Sequence, residues 1–600
     1  MNLKNSISNL LAGTFAFRKS LLILVVSTVF MLSGCATQQL AEDSKKVESP
    51  AVEPVKPVEL PYKSTIEPVD ELTEDILFHY ILADLAAQQG QLKLAYNHYL
   101  HVALLAADSN AARFATQIAL FQKNYAAALE SSRRWVEIAP NSIEARIATA
   151  ILLLREVNKS QAMEHFQAAI KISQASGKED GFLVIAVALS KEKKLADSLA
   201  IMQALTDENN DNPKAWYANA ILLAANKKFD EALVALDQVL NLNEDWVKAK
   251  ILRVKTLIDK GVSDEAIEYL RKVVPKHEDD TDLHLIYAKL LVTKDHKLAY
   301  REFERLHRKD ATNIEFISAL AVLAVQLERL DDAKSWWKKY ADAGNGDEKS
   351  EAQFQLGQIE EVEKNFNKAA DHYRRVTRGE YRNDAGLRYA RVQAELGNLE
   401  EARNELQALR VADPENVIDY FLVEAEILAE KLSVQEVFDF YAAALKTYPD
   451  NTDLLYSRGV FSANVDQVDR AERDLRAVLA KKPKNADALN ALGYTLADQT
   501  DRYQEAFELI SQAYKLKPDS AAVVDSLGWV YYRLGNLPEA RKYLQMALEL
   551  QNDDEIAAHL GEVLWVSGEK ERARKVWDKA MKDFPDSKKL LETLKRLGVK

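Results

Sequence analysis

The stretch "VVDSLGWVYYRLGNLPEARKYLQMALELQND" spans Val523–Asp553. It reads as a first helix carrying Leu527-Gly528, a short polar turn at Gly535-Asn536, and a second helix with Ala540 near its start and Leu544 one turn later. The segments on either side repeat the plan. "ALNALGYTLADQTDRYQEAFELISQAYKLKPDS" (488–520) has Leu492-Gly493, then Ala506 and Ile510. "IAAHLGEVLWVSGEKERARKVWDKAMKDFPDS" (556–587) has Leu560-Gly561, then Ala573 and Trp577. Two of the three end on a proline, Pro518 and Pro585, which stops the second helix.

The second-helix alanine can be followed backwards through almost the whole chain. It recurs as Ala95, Ala128, Ala162, Ser198, Ala232, Ala266, Ala299, Ala333, Ala369, Ala402, Val437, Ala471, Ala506, Ala540 and Ala573. The fourteen steps average about 34 residues. Four positions later stands a bulky side chain: Tyr99, Phe166, Met202, Leu236, Leu270, Phe303, Trp337, Tyr373, Leu406, Tyr441, Leu475, Ile510, Leu544 and Trp577. Ser132 breaks that rule. A small residue lets two helices approach, and a bulky one on the same face one turn on fills the space toward the next pair.

This pattern resembles the tetratricopeptide repeat, whose period is 34 residues. The resemblance implies an all-α solenoid of about fifteen helix pairs from residue 71 onward. One pair cannot bury its apolar face alone, so stacking is obligatory. The final "SKKLLETLKRLGVK" (587–600) places Leu590, Leu591, Leu594 and Leu597 on one stripe and reads as the capping helix. Two glycine-containing polar stretches, 173–181 and 341–350, fall in the longest intervals. The second is the candidate boundary between an N-terminal array, 71–345, and a C-terminal array, 346–600; the alternative is a longer surface turn.

The N-terminus has a different character. "VVSTVFMLSGCATQQ" contains Cys35, the one cysteine of 600 residues, so neither a disulfide nor a thiolate cluster is available. Lys4, Arg18 and Lys19 precede an apolar run, Leu21–Leu32, too short to span a bilayer, and Ser33-Gly34 follow it. Residues 1–34 therefore read as a secretory signal. Leu32-Ser33-Gly34-Cys35 resembles the lipobox of bacterial lipoproteins. That resemblance implies cleavage before Cys35, acylation there, and, with Ala36 following, residence in the outer membrane. An uncleaved anchor or a soluble exported protein are the alternatives. Residues 35–70 carry five of the 14 prolines, Pro50, Pro54, Pro57, Pro61 and Pro68. They read as a flexible tether that, fully extended, reaches on the order of 100 Å.

Loss of residues 1–34 removes three positive charges and no acid, taking the net charge from -13 to -16. Such an acidic body argues against nucleic acid as the main partner. Catalytic motifs are missing: there is no Gly-x-x-x-x-Gly-Lys, Gly-x-Ser-x-Gly or His-Glu-x-x-His. With 19 glycines in 600 residues and little sequence outside the repeats, neither an enzyme nor a cofactor site is expected. His98 and His101, at i and i+3, could face one way, but no third metal ligand is evident, and packed or solvated histidines are the expectation.

Binding is expected instead. In the tetratricopeptide family the first helices line a groove, and the residues at its groove positions here include Asn490, Tyr494, Asp525, Trp529, Tyr532 and Trp565. Tyr494, Trp529, Tyr532 and Trp565 would form an aromatic ladder suited to protein recognition, unless they serve packing between repeats. The basic clamp by which related domains grip chaperone termini is not reproduced. Residues 486–585 also resemble a family of long proteobacterial outer-membrane lipoproteins. A member of that family acts as adaptor for a periplasmic carboxyl-terminal processing protease and delivers cell-wall hydrolases to it. The resemblance implies the same role, protein partners and a lipid anchor for this chain. A scaffold for envelope assembly or export (polysaccharide, pilus or secretin machinery) is the alternative.

Overall fold

The computed structural model describes residues 73–177 and 180–599; the signal, Cys35 and the proline-rich tether lie outside them. Among the described residues there are 31 α-helices and two short 3-10 turns, and no strand. No described helix is long and apolar enough to cross a membrane. The helices gather into two units, 73–309 and 310–599. The first holds seven helix pairs, from Glu74–Gln88 with Leu92–Leu105 to Thr281–Leu291 with His296–Lys309. The second holds eight, from Ile314–Gln326 with Leu330–Ala343 to Asp554–Val566 with Lys570–Asp583, and ends on the single helix Lys588–Arg596. The 341–350 stretch lies inside the second unit, where Asn345 opens the helix Gly346–Val362 with a reciprocal cap to Glu348.

Local sequence explains where helices begin. Asp108, Ser142, Asp180, Asn212, Asp280, Asn313, Asn451, Asn485 and Asp553 each precede a first helix and accept a hydrogen bond from an N–H two or three residues on. That satisfies donors the helix itself leaves open. In eleven of the fifteen pairs the turn inside the pair holds one left-handed residue. Gly90, Gly261, Gly397, Gly535 and Gly568 supply it in five pairs, while Lys123, Val157, Lys227, Glu328, Lys364 and Asp466 are forced into it elsewhere.

The repeat phase is visible in burial. All fifteen anchor positions, from Ala95 to Ala573 and including Ser198 and Val437, have 0% exposure. The bulky residues four later are all buried as well, from Tyr99 to Trp577. The first-helix glycine is their counterpart. A Cβ at Gly528 would sit 2.6 Å from Leu544 Cγ, and one at Gly493 2.6 Å from Ile510 Cγ1. The glycine thus opens the notch that the second-helix side chain fills. At the exception, Ser132 is buried and its hydroxyl donates to the Leu129 carbonyl at 3.0 Å, a polar contact in place of apolar volume.

The C-terminal helix departs from expectation in one residue. Leu590 is fully buried, and Leu594 and Leu597 pack against the same core, but Leu591 is 50% exposed. Adjacent positions diverge by about 100° on a helix, so a stripe wide enough for both would need a wider partner surface.

Candidate protein-binding cleft

Four helices of the second unit build the site: Ala486–Gln499, Ala521–Arg533, Asp554–Val566 and Lys588–Arg596. Residues on their shared side bond from one repeat to the next. The Trp529 indole N–H donates to Asp498 Oδ1 at 3.1 Å. The Tyr532 hydroxyl donates to Glu562 Oε1 at 3.2 Å, and the Arg596 guanidinium donates to both oxygens of the same buried carboxylate. Arg533 donates to the Asp498 carbonyl at 3.1 Å and to the Tyr503 hydroxyl at 2.8 Å. One link skips a repeat: the Tyr494 hydroxyl donates to Glu555 Oε1 at 2.8 Å.

His559 sits at the centre of this lattice. Its Nδ1 is 3.0 Å from both oxygens of Asp525. Its ring lies nearly parallel to Trp529, with centroids 4.1 Å apart and an interplanar angle of 23°. Burial pulls the His559 pKa down, but the charge and hydrogen bond of Asp525, aided by Glu555, outweigh it and hold the value above that of an ordinary histidine. Burial acts likewise against charge on Lys589 and Glu555, yet their 3.1 Å pairing raises the lysine and, with His559, lowers the carboxylate. Burial is the largest influence raising the Tyr494 phenol, and the acids around it add to that.

In front of His559 lies a cleft of ≈ 590 Å³. Trp529, Tyr532 and His559 line it together with Asp498, Arg533, Glu562, Lys589, Glu592, Thr593 and Arg596. Groups of both charge signs and aromatic side chains line it, a composition that suits backbone and charged side chains of a peptide.

The six groove residues named from sequence have three different fates. Trp529 and Tyr532 line the cleft, but Trp529 is only 5% exposed. It is committed to packing as much as to the opening. Asp525 is buried behind it against His559, and Tyr494 is half-buried at the junction with the third helix. Trp565 is not part of the cleft lining. Its ring faces its own second helix, 5.8 Å from Trp577 and with Lys570 Nζ 5.0 Å from its centroid. Asn490 is half-buried, and its Oδ1 has no hydrogen-bond partner among the described residues. The four aromatics do not form one ladder. His559, Asp498 and Arg596 were not singled out by the sequence. Their importance comes from contacts about 30 residues apart, and no local pattern marks those.

Comparison with known proteins bears on the repeats directly. A family model described as tetratricopeptide repeat matches residues 189–255, 223–290 and 499–560, and two more of the same description match 463–521 and 384–416. These segments are tetratricopeptide repeats. With the burial phase above, each unit is a tetratricopeptide-repeat solenoid, a fold whose stacked pairs typically present binding surfaces for other proteins rather than catalytic groups.

The chain is similar to a TPR repeat-containing protein of Pseudomonas aeruginosa, 43% identical over 211 residues, 35% of this chain and 36% of that one. It is also similar to the type IV pilus assembly protein PilF of the same organism, 28% identical over 138 residues, 22% of this chain and 54% of that one. The chain therefore spans about a third of the first relative's length and about half of the second's. Among solved structures it matches PilW, a widely conserved type IV pilus biogenesis factor, at 17% identity and a TM-score of 0.30, over 36% of this chain and all of that one.

Proposed function

We propose that this chain is a non-enzymatic, lipid-anchored scaffold of the outer membrane, facing the periplasm, that delivers cell-wall hydrolases to a carboxyl-terminal processing protease. The observation that supports it best is the cleft beside His559, which aromatic side chains and charges of both signs line on tetratricopeptide helices. Cys35 is the proposed lipid attachment, and residues 36–70 the tether that lets the body leave the membrane surface. The acidic balance favours protein partners over nucleic acid.

Pull-down from detergent-solubilised envelopes tests this reading. The protease and a peptidoglycan hydrolase should co-purify with the intact chain. Co-purification of a pilus or export complex without protease contradicts it. That second reading, a scaffold for envelope assembly, is favoured by the likeness to the pilus assembly protein, which covers about half of that protein.

A further inference from the structure

At the start of the first unit, four ionisable side chains converge. Asp75 and His79 stand one turn apart on the helix Glu74–Gln88, and His98 and His101 stand on one face of the helix Leu92–Leu105. The His79 ring centroid is 4.1 Å from that of His101 and 4.8 Å from that of His98. The Asp75 carboxylate places one oxygen 3.5 Å from His79 Nε2 and the other 3.6 Å from His101 Nε2. One ligand atom from each of Asp75, His79 and His101 lies within 4.8 Å of the others. Zn²⁺ bonds of about 2.0–2.1 Å in tetrahedral geometry separate neighbouring donor atoms by about 3.4 Å, so the three side chains must draw together to hold an ion.

The remaining histidine completes the arrangement. His98 Nδ1 lies 2.6 Å from His79 Nδ1. With the shared proton on His79, the lone pair of His79 sits on Nε2, the nitrogen that faces Asp75. This is how a residue outside the coordination sphere fixes the tautomer of a ligating imidazole. His98 and His101 are buried, while Asp75 is 62% exposed and gives an ion access from solvent.

We propose that Asp75, His79 and His101 bind a divalent transition metal of the Zn²⁺ class, with His98 as the positioning residue for His79. Two imidazoles and a carboxylate leave a fourth position for water or a donor from a partner. The ion would tie the first helix of the array to the second. That helix buries only Ile76, Ala83 and Ala86 and leaves Leu77, Phe78, Ile81 and Leu85 exposed, so such a tie would add to a small apolar contact.

The test uses the chain without a polyhistidine tag, stripped with chelator and titrated with Zn²⁺ by calorimetry and with Co²⁺ by visible absorption. One equivalent should bind, Co²⁺ should develop ligand-field bands of a low-symmetry site, and Zn²⁺ should slow hydrogen exchange in residues 74–88. Asp75→Asn, at an exposed position that leaves folding intact, and His101→Ala should each weaken binding at least tenfold. His98→Gln should weaken it about 10–100-fold while the Co²⁺ bands persist at saturation. Absence of a saturable single equivalent, or equal affinity in Asp75→Asn and His101→Ala, overturns the proposal. Mg²⁺ competing as well as Zn²⁺ does so too.

Discussion

Trp529 and His559, thirty residues apart, are stacked face to face at 4.1 Å, with Asp525 closing on the histidine at Nδ1 and Asp498 holding the indole N–H. Trp529 and His559 thus pack one repeat against the next and also line the cleft. An aromatic placed this way couples recognition to stability, and the two can be separated by substitution.

Trp529→Ala should cost about 3–5 kcal/mol, as for a buried tryptophan, and the loosening should stay within the adjoining repeats. Trp565→Ala, half-buried and turned away from the cleft, should cost clearly less. Thermal melts with hydrogen exchange compare the two. Equal losses would mean that Trp529 is not the packing residue its burial indicates.

His559 makes stability depend on pH in a definite direction. Its folded-state pKa lies above the ordinary value of about 6.5, so its protonated form is favoured in the fold. The contribution is complete below about 6.5 and is lost as pH rises through the raised folded value. The difference in melting temperature between the parent chain and His559→Gln should therefore shrink on going from acid to mildly alkaline pH. A difference that grows with pH would refute the Asp525–His559 pairing.

Gly528→Ala should destabilise the chain by about 1–3 kcal/mol, because the new methyl would meet both the Leu544 side chain and its backbone N at 3.0 Å. Gly535→Ala lies at a left-handed turn with open space around it and should cost about 1 kcal/mol through backbone strain alone. Pairing Gly528→Ala with Leu544→Ala should recover part of the first loss. Denaturant melts measure all three, and strict additivity would show that the notch is not filled by Leu544.

Val157 is a β-branched residue held at φ 63 in the turn between Ile143–Arg155 and Lys159–Ser176. Val157→Gly should raise stability by about 1 kcal/mol, since an exposed side chain is given up and the left-handed penalty disappears. A fall in the denaturation midpoint would contradict the backbone assignment.

The repeats were legible because their determinants are local. A small residue at Ala540 and a large one at Leu544 lie on one helical face, and the period carries that rule along the chain. Even the substitutions Ser198 and Val437 keep the phase, as their complete burial shows. The site was less legible because it depends on contacts between repeats. Position numbers within a repeat placed Trp529 and Tyr532 on the cleft but also nominated Trp565, whose ring turns toward Trp577 and Lys570. Nothing near His98 and His101 announces Asp75 and His79, which arrive from the preceding helix. Leu591 fell outside the core for a related reason, since the stripe was drawn without knowing the width of the surface that receives it.

The proposed adaptor role is tested most directly by reconstituted proteolysis. Purified carboxyl-terminal processing protease and a peptidoglycan cross-link endopeptidase are mixed with or without this chain, and loss of the endopeptidase is followed in time. The account predicts rapid degradation only when the chain is present, and slower degradation when Glu592→Lys and Tyr532→Ala alter the cleft. Degradation at the same rate without the chain would contradict it.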